Sequence, residues 1–350
     1  MSNNYPPNTP RTELSELGEF GLIDRLTGDV ETKSPSTITG IGDDAAVLDF
    51  GPRQVLVTKD LLCEGVHFDL AYTPLKHLGY KAAVVSFSDI YAMNGRPRQL
   101  LVGISVSNRY SVEAMEELFE GLKLACRKYD VDLVGGDTTA STSGLFISVT
   151  VLGDIEPGQS ILRKGAHPNE LICVSGDLGA AYLGLLVLER EKRVFLANPG
   201  MQPELSGNDY VLQRQLKPEA RKDIHEILAK AGIVPTAMID ISDGLASELL
   251  HICRQSGTGC AVFEDKIPID PQTLMLCDEF SLIPSIAALN GGEDYELLFT
   301  VPIADYEKVK ALEAVTVIGH ITAADEGCHL ISTDGRQIPL KAQGWDHMRK

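Results

Sequence analysis

Acidic residues recur in short turn-like stretches, mostly flanked by glycine and lying beside apolar strands, at five places in this chain. They are Gly42-Asp43-Asp44-Ala45, Thr58-Lys59-Asp60, Gly135-Gly136-Asp137-Thr138, Asp240-Ile241-Ser242-Asp243-Gly244 and Gly291-Gly292-Glu293-Asp294. Asp89, in the helical stretch FSDIYAMNG, is a sixth. Glycine lets a backbone approach a phosphate closely, and carboxylates are the hard oxygen donors that Mg²⁺ prefers. The combination points to metal-assisted phosphate chemistry, although any one Asp-Gly or Gly-Asp taken alone reads as a turn.

Asp240-Ile241-Ser242-Asp243 carries more information than the others. Strand alternation puts Asp240 and Ser242 on one face, and Asp243 falls where the next helix begins. Free N–H groups at a helix start suit an anion, and flanking carboxylates suit the cation bridging to it, while Ser242 or Asp243 could equally act as the helix N-cap. His67, in Glu64-Gly65-Val66-His67-Phe68, is open to a proton-shuttle, substrate-binding or structural reading. Arg163 and Lys164 are the cations best placed to meet a nucleotide phosphate, or are simply solvated loop residues. Trp345, the only tryptophan, is either a docking anchor for the C-terminus or a stacking surface for a heteroaromatic ring.

Other phosphate and hydrolase signatures are missing. No Walker pattern occurs, and Gly40-x-Gly42-x-x-Ala45 fails as a dinucleotide fingerprint because AAVLDF reads as a strand rather than a helix. The eight histidines show no H-x-x-x-H or H-E-x-x-H pairing, and there is no G-x-S-x-G elbow.

The elements that must position these residues follow from periodicity. A polar tail, 1–12, precedes a helix over 11–27 built on Leu14, Leu17, Leu22, Ile23 and Leu26. Strands are expected at 45–50, 54–58, 99–106, 131–134 and 145–152, with helices over 75–94 and 112–129; Gly95 and Pro97 stop the first of these. Residues 156–170, rich in Gly, Pro and charge, read as a boundary or long functional loop. Beyond them come strands at 171–175, 236–241, 260–263, 295–301 and 315–321, with helices near 178–190, 208–216, 219–231 and 244–255. The organisation is therefore α+β in two domains: 13–155, and a C-terminal α/β-mixed domain over 156–350.

Composition limits the partners. With 31 Lys+Arg against 49 Asp+Glu the formal charge is −18, so neither nucleic acid nor an anionic membrane is an expected partner. Seven scattered cysteines, an odd number with no C-x-x-C, argue against a disulfide framework or zinc knuckle and for a reduced, cytoplasmic setting. No secretory signal or apolar run approaching a bilayer span is visible.

The stretches GIGDDAAVL, TKDLLCEGVHFD, SDIYAMNGRPRQLL, LVGGDTT, IDISDGLASEL, GGEDYELLFTV and GWDH together resemble the thiamine-monophosphate kinase family, in that family's order from residue 40 to the end. The resemblance implies a two-domain α+β subunit whose N-terminal domains pair in a homodimer to form a shared β-barrel. It implies direct in-line transfer of the ATP γ-phosphoryl group to thiamine monophosphate, the last step to thiamine diphosphate, assisted by several Mg²⁺ ions. By the same resemblance Asp44, Thr58, Asp60, Asp89, Asp137, Asp240 and Asp243 are metal positions, and Gly136, Asp137, Arg163 and Ser242 are ATP-binding positions. His67, Glu293 and Trp345 are substrate positions. Asp43 and Asp294 are left supporting the site or its turns. Lys59 stands where many relatives carry Ser or Thr, so an ammonium there could neutralise phosphate directly.

Overall fold

A computed structural model describes residues 37–39 and 42–342. The expected helix over 11–27, the polar tail and Trp345 lie outside the described residues.

The N-terminal half builds one six-stranded sheet. Strands β1 (Thr37–Thr39), β2 (Ala46–Asp49) and β3 (Gln54–Cys63) precede helix α1 (Leu75–Ala92); β4 (Arg96–Val106), helix α2 (Val112–Tyr129), β5 (Asp132–Ala140) and β6 (Phe146–Ile155) complete it. Their order across the sheet is β1-β2-β3-β6-β4-β5. The β4-α2-β5 crossover makes β4 and β5 parallel, as a helical connection between neighbouring strands requires. Alternate residues of β6, from Ile147 to Ile155, are buried against α1. Ser111 caps α2 by accepting the Ala114 N–H, and Asp130 ends it in the left-handed region. The two helices cross with backbones in contact: a Cβ on Gly79 would lie 1.9 Å from the Leu118 carbonyl oxygen, and one on Gly121 1.9 Å from that of Lys76.

The C-terminal half builds a seven-stranded sheet from β7 (Leu171–Ser175), β8 (Ala237–Asp240), β9 (Gly259–Phe263), β10 (Leu297–Val301), β11 (Val315–Thr322), β12 (Cys328–Ile331) and β13 (Gln337–Pro339). The order is β13-β12-β9-β11-β7-β10-β8. Strands β7 and β10 are buried along their whole length, which explains their largely apolar sequences, with only Ser175 and Thr300 polar. Helices α3 (Ala180–Ala197), α4 (Asp209–Leu216), α5 (Lys222–Ala231), α6 (Leu245–Ser256), α7 (Pro271–Glu279), α8 (Pro284–Asn290) and α9 (Tyr306–Lys310) surround it. Among the described residues no helix is long and apolar enough to cross a membrane.

Three expectations are corrected. Thr58-Lys59-Asp60 is no turn but the middle of β3, which runs on to Cys63. Gly135-Gly136-Asp137-Thr138 is likewise inside a strand, because β5 extends to Ala140. Gly136 serves pairing with β4, since a Cβ there would meet the Val102 carbonyl oxygen at 1.9 Å. Pro97 lies within β4, at a register irregularity between Pro97 and Gln99. Among the described residues the six-stranded sheet is open, ending at β1 and β5.

Candidate active site

Alternation along β3 decides which of its residues reach the interior. Thr58 and Asp60 face α1, where the Thr58 hydroxyl donates to Asp89 Oδ2 at 2.5 Å and the Ser86 hydroxyl donates to Asp60 Oδ2. Lys59 therefore points to the other face, its ammonium 2.5 Å from Ser148 Oγ. From the second sheet, β8 delivers Asp240 at its C-terminal end, and the Ser88 hydroxyl of α1 donates to Asp240 Oδ2 at 2.6 Å. One helix thus holds the acids of both sheets together.

Asp44, Asp89 and Asp240 converge so that carboxylate oxygens, one from each, lie within 4.8 Å of one another. Burial and the charges of Asp60, Asp240 and Asp44 push the Asp89 carboxyl well above the usual range. Burial and then Asp44 push Asp240 up to about 8, and burial raises Asp60 despite the Ser86 hydrogen bond. Arg163 is the cation facing this cluster: its Nη2 is 2.6 Å from Asp44 Oδ1 and its Nε 3.3 Å from Asp44 Oδ2. Asp43 supports that arrangement by accepting the Arg163 backbone N–H at 2.7 Å. Three clustered carboxylates, with the proton affinities of Asp89 and Asp240 raised and Arg163 paired to Asp44 alone, are a donor set that fits a hard divalent cation.

The acids open onto a cleft of about 1210 Å³ between the two sheets. That exceeds the roughly 300–1,000 Å³ of a typical small-molecule pocket, leaving room for two substrates. Its lining includes Asp60, Asp89, Arg163, Asp240, Ser242 and Asp243, together with His67 and Glu293. His67 Nδ1 accepts the Cys63 N–H at 3.0 Å, which places the proton of a neutral ring on Nε2. Glu293 adopts φ +58° in a loop whose backbone is tied to the 240–243 loop, Glu293 N–H to the Ser242 carbonyl at 2.7 Å and Tyr295 N–H to that of Ile241 at 2.8 Å. Gly292, at φ +70°, supplies the left-handed turn this tie requires. Asp294, expected to support the loop, is buried and accepts the Gly179 N–H at 2.8 Å.

Three of the expected residues stand apart from the acid cluster within one chain. Neither Gly136 nor Asp137 lines the cleft among the described residues. Register links Asp60 to Val149, Val149 to Val102 and Val102 to Gly136. Gly136 is thus three strands from Asp60, about 14 Å at 4.7–4.9 Å per strand. Lys59 borders the cleft, but its ammonium rests on Ser148, on the sheet face opposite Asp60.

Sequence reasoning missed Lys81 and Glu248. Lys81, buried in α1, sits 2.8 Å from Glu293 Oε1, while Gln215 donates to Glu293 Oε2 at 2.8 Å. The i, i+4, i+8 spacing of Lys81, Val85 and Asp89, all lining the cleft, was the available signal. Glu248 accepts the Asp243 N–H at 3.0 Å, and burial pushes its carboxyl well above the usual range. It occupies the first turn of α6, where an acid ordinarily reads as helix-dipole compensation.

The N-terminal part of this fold, which supplies Asp44, Asp60 and Asp89 to the site, is of the AIR synthase-related class. Residues 42–155 match the family model of the AIR synthase related protein, N-terminal domain. The thiamine-monophosphate kinase of Bacillus subtilis is 34% identical over 339 residues, 95% of this chain and 100% of that protein. That of Aquifex aeolicus is 35% identical over 335 residues, 95% and 99% of the two chains. The solved structure of AaThiL complexed with AMPPCP and TMP is 32% identical, covers 97% of this chain and 100% of its own, and superposes with a TM-score of 0.81. The chain belongs to the thiamine-monophosphate kinase family.

Proposed function

We propose that this cleft phosphorylates thiamine monophosphate with ATP, giving thiamine diphosphate and ADP. The observation that carries the reading is the convergence of Asp44, Asp89 and Asp240 beside Arg163, at a cleft large enough for both substrates. Eight carboxylates line the cleft against four Lys and Arg residues. Of those cations, Lys81 is paired with Glu293, Arg163 with Asp44 and Lys192 with Asp69. Two anionic substrates cannot be accommodated by that balance alone, so Mg²⁺ is required.

Asp44, Asp60, Asp89 and Asp240 would hold Mg²⁺, with Asp243 and the Thr58 hydroxyl beside them. Bound there, Mg²⁺ would neutralise phosphate charge and stabilise the transferring phosphoryl group. The chain's own residues orient and enclose. Arg163 and Ser242 face the nucleotide, His67 offers Nε2–H to the substrate, and the Lys81–Gln215 pair fixes Glu293 for the same substrate. Trp345, from the C-terminal segment, meets the thiamine end. A phosphate oxygen of thiamine monophosphate attacks the γ-phosphorus as the bond to the ADP oxygen breaks; that acceptor is already ionised near neutral pH, so no general base is needed.

The reading includes a homodimer of two-domain chains, divided into 13–155 and 156–350, with the N-terminal sheets forming a shared barrel. Among the described residues strand β5 has an unpaired edge, and Leu61, Leu101 and Val134 are exposed on this sheet. A second copy covering these residues would bring its Gly136 and Asp137 to the cleft that one chain leaves without them. The mechanism is tested with ATP made chiral at the γ-phosphorus by oxygen isotopes. Direct in-line transfer gives inversion in the thiamine diphosphate formed; retention would require a phosphorylated enzyme and overturn it.

A further inference from the structure

Three cysteines far apart in sequence meet in the C-terminal half, away from the acid cleft. Cys260 and Cys328 are register partners on the parallel strands β9 and β12, and Cys253 approaches from α6. Their three Sγ atoms all lie within 4.8 Å of one another. Spacings of 7 and 68 residues hide this cluster from any motif search.

We propose that Cys253, Cys260 and Cys328 form a binding site for one soft, thiophilic d¹⁰ cation of the Zn²⁺, Cd²⁺ or Cu⁺ class, with three sulfur ligands. At the roughly 2.3 Å of a Zn–S bond, ligand sulfurs sit about 3.8–4.0 Å apart, so the observed cluster needs to close by less than about 1 Å. Soft sulfur donors select such ions, whereas Mg²⁺ takes oxygen, so the two centres do not compete for one metal. The backbone is already fixed: the Cys260 N–H is bonded to the Gly327 carbonyl at 3.0 Å, and the Leu340 N–H to that of Cys328 at 2.9 Å. Gly259 permits the approach, since a Cβ there would lie 2.3 Å from the Gly327 carbonyl oxygen. Access runs past Cys328, which is half-buried, whereas Cys253 and Cys260 are 2% and 1% exposed. Three packed thiols would be ordinary small apolar residues if nothing bound them; a helix and two adjacent strands each aiming a sulfur at one point is the arrangement of a ligand set.

The test uses the full-length, fully reduced chain with Mg²⁺ present and Cd²⁺ as the probe, because Cd–thiolate charge transfer in the ultraviolet reports sulfur ligation and carboxylate binding gives none. The expected result is one Cd²⁺ per chain with that absorption, a raised Tm, and X-ray absorption showing three sulfur neighbours. Cys328→Ser, the least buried position, should lose the absorption and the Tm shift while keeping the apo Tm within a few degrees. Cys173→Ser, outside the cluster, should bind as the parent does. Absence of the absorption in the parent chain overturns the site, as does a band that survives Cys328→Ser or vanishes with Cys173→Ser.

Discussion

Lys81 Nζ lies 2.8 Å from Glu293 Oε1, joining the middle of α1 to the loop that follows α8. The ammonium is 4% exposed and also donates to the Gln215 carbonyl at 3.1 Å. A buried ammonium is tolerated only when paired, so the contact holds both the helix and the left-handed backbone at Glu293. Lys81→Met is expected to destabilise the protein by about 2 kcal/mol, discounted from a fully buried pair because Glu293 is partly exposed. Urea unfolding measures that. The Michaelis constant for thiamine monophosphate should rise about tenfold, one hydrogen-bonded charge, while that for ATP stays nearly constant. Adding Glu293→Gln should cost little more; additive losses would mean the two act independently.

Asp240 sets a pH dependence whose sign follows from its carboxyl being pushed up to about 8 by burial and by Asp44. The folded chain binds a proton there that the unfolded chain has lost above about pH 4. Without metal, stability from this group is present below that value and is lost as pH rises towards 8. Melting in EDTA should therefore fall in temperature from pH 5 to pH 8, and added Mg²⁺ should raise Tm more at pH 8. Asp240→Asn should flatten the EDTA profile, raise apo stability and lower turnover by at least about a hundredfold. A Tm that climbs with pH in EDTA would contradict the assignment.

Asp60 and Asp137 test the dimer. If the site takes Asp60 from one chain and Asp137 from its partner, Asp60→Asn and Asp137→Asn homodimers are both inactive. Mixing the unfolded chains and refolding them together should restore about a quarter of parental activity, since half the dimers are mixed and each has one intact site. No recovery would place both residues in the same chain's site.

The sequence made the carboxylates legible but not their reasons. Asp44, Asp60, Asp89, Asp240, Asp243 and Glu293 stood out by residue type and motif, and all lie in or beside the cleft. Strand alternation could separate Thr58 and Asp60 from Lys59 only once β3 was known to pass through them, and a three-residue polar step looked like a turn. Gly136 was assigned to phosphate approach, whereas its close neighbour is the Val102 carbonyl of β4. Lys81 and Glu248 stayed hidden because their partners, Glu293 and Asp243, are set by tertiary packing. The short helices α7, α8 and α9 and the short strands β12 and β13 were missed for lack of enough residues to show a period.

His67 contributes through one nitrogen. With Nδ1 accepting from Cys63, a neutral ring carries its proton on Nε2, which is then its donor. His67→Ala should raise the Michaelis constant for thiamine monophosphate about tenfold with little change in Tm, because it removes one substrate hydrogen bond. His67→Asn, which can keep a donor, should recover part of that loss; steady-state kinetics at fixed ATP reads both.

The most direct measurement is an end-point assay of the pure full-length chain with ATP, Mg²⁺ and thiamine monophosphate, products identified by mass. The account predicts thiamine diphosphate and ADP in equal amounts, none when Mg²⁺ is chelated, and no phosphorylated product from free thiamine. ADP without thiamine diphosphate, or full activity in excess EDTA, would contradict it.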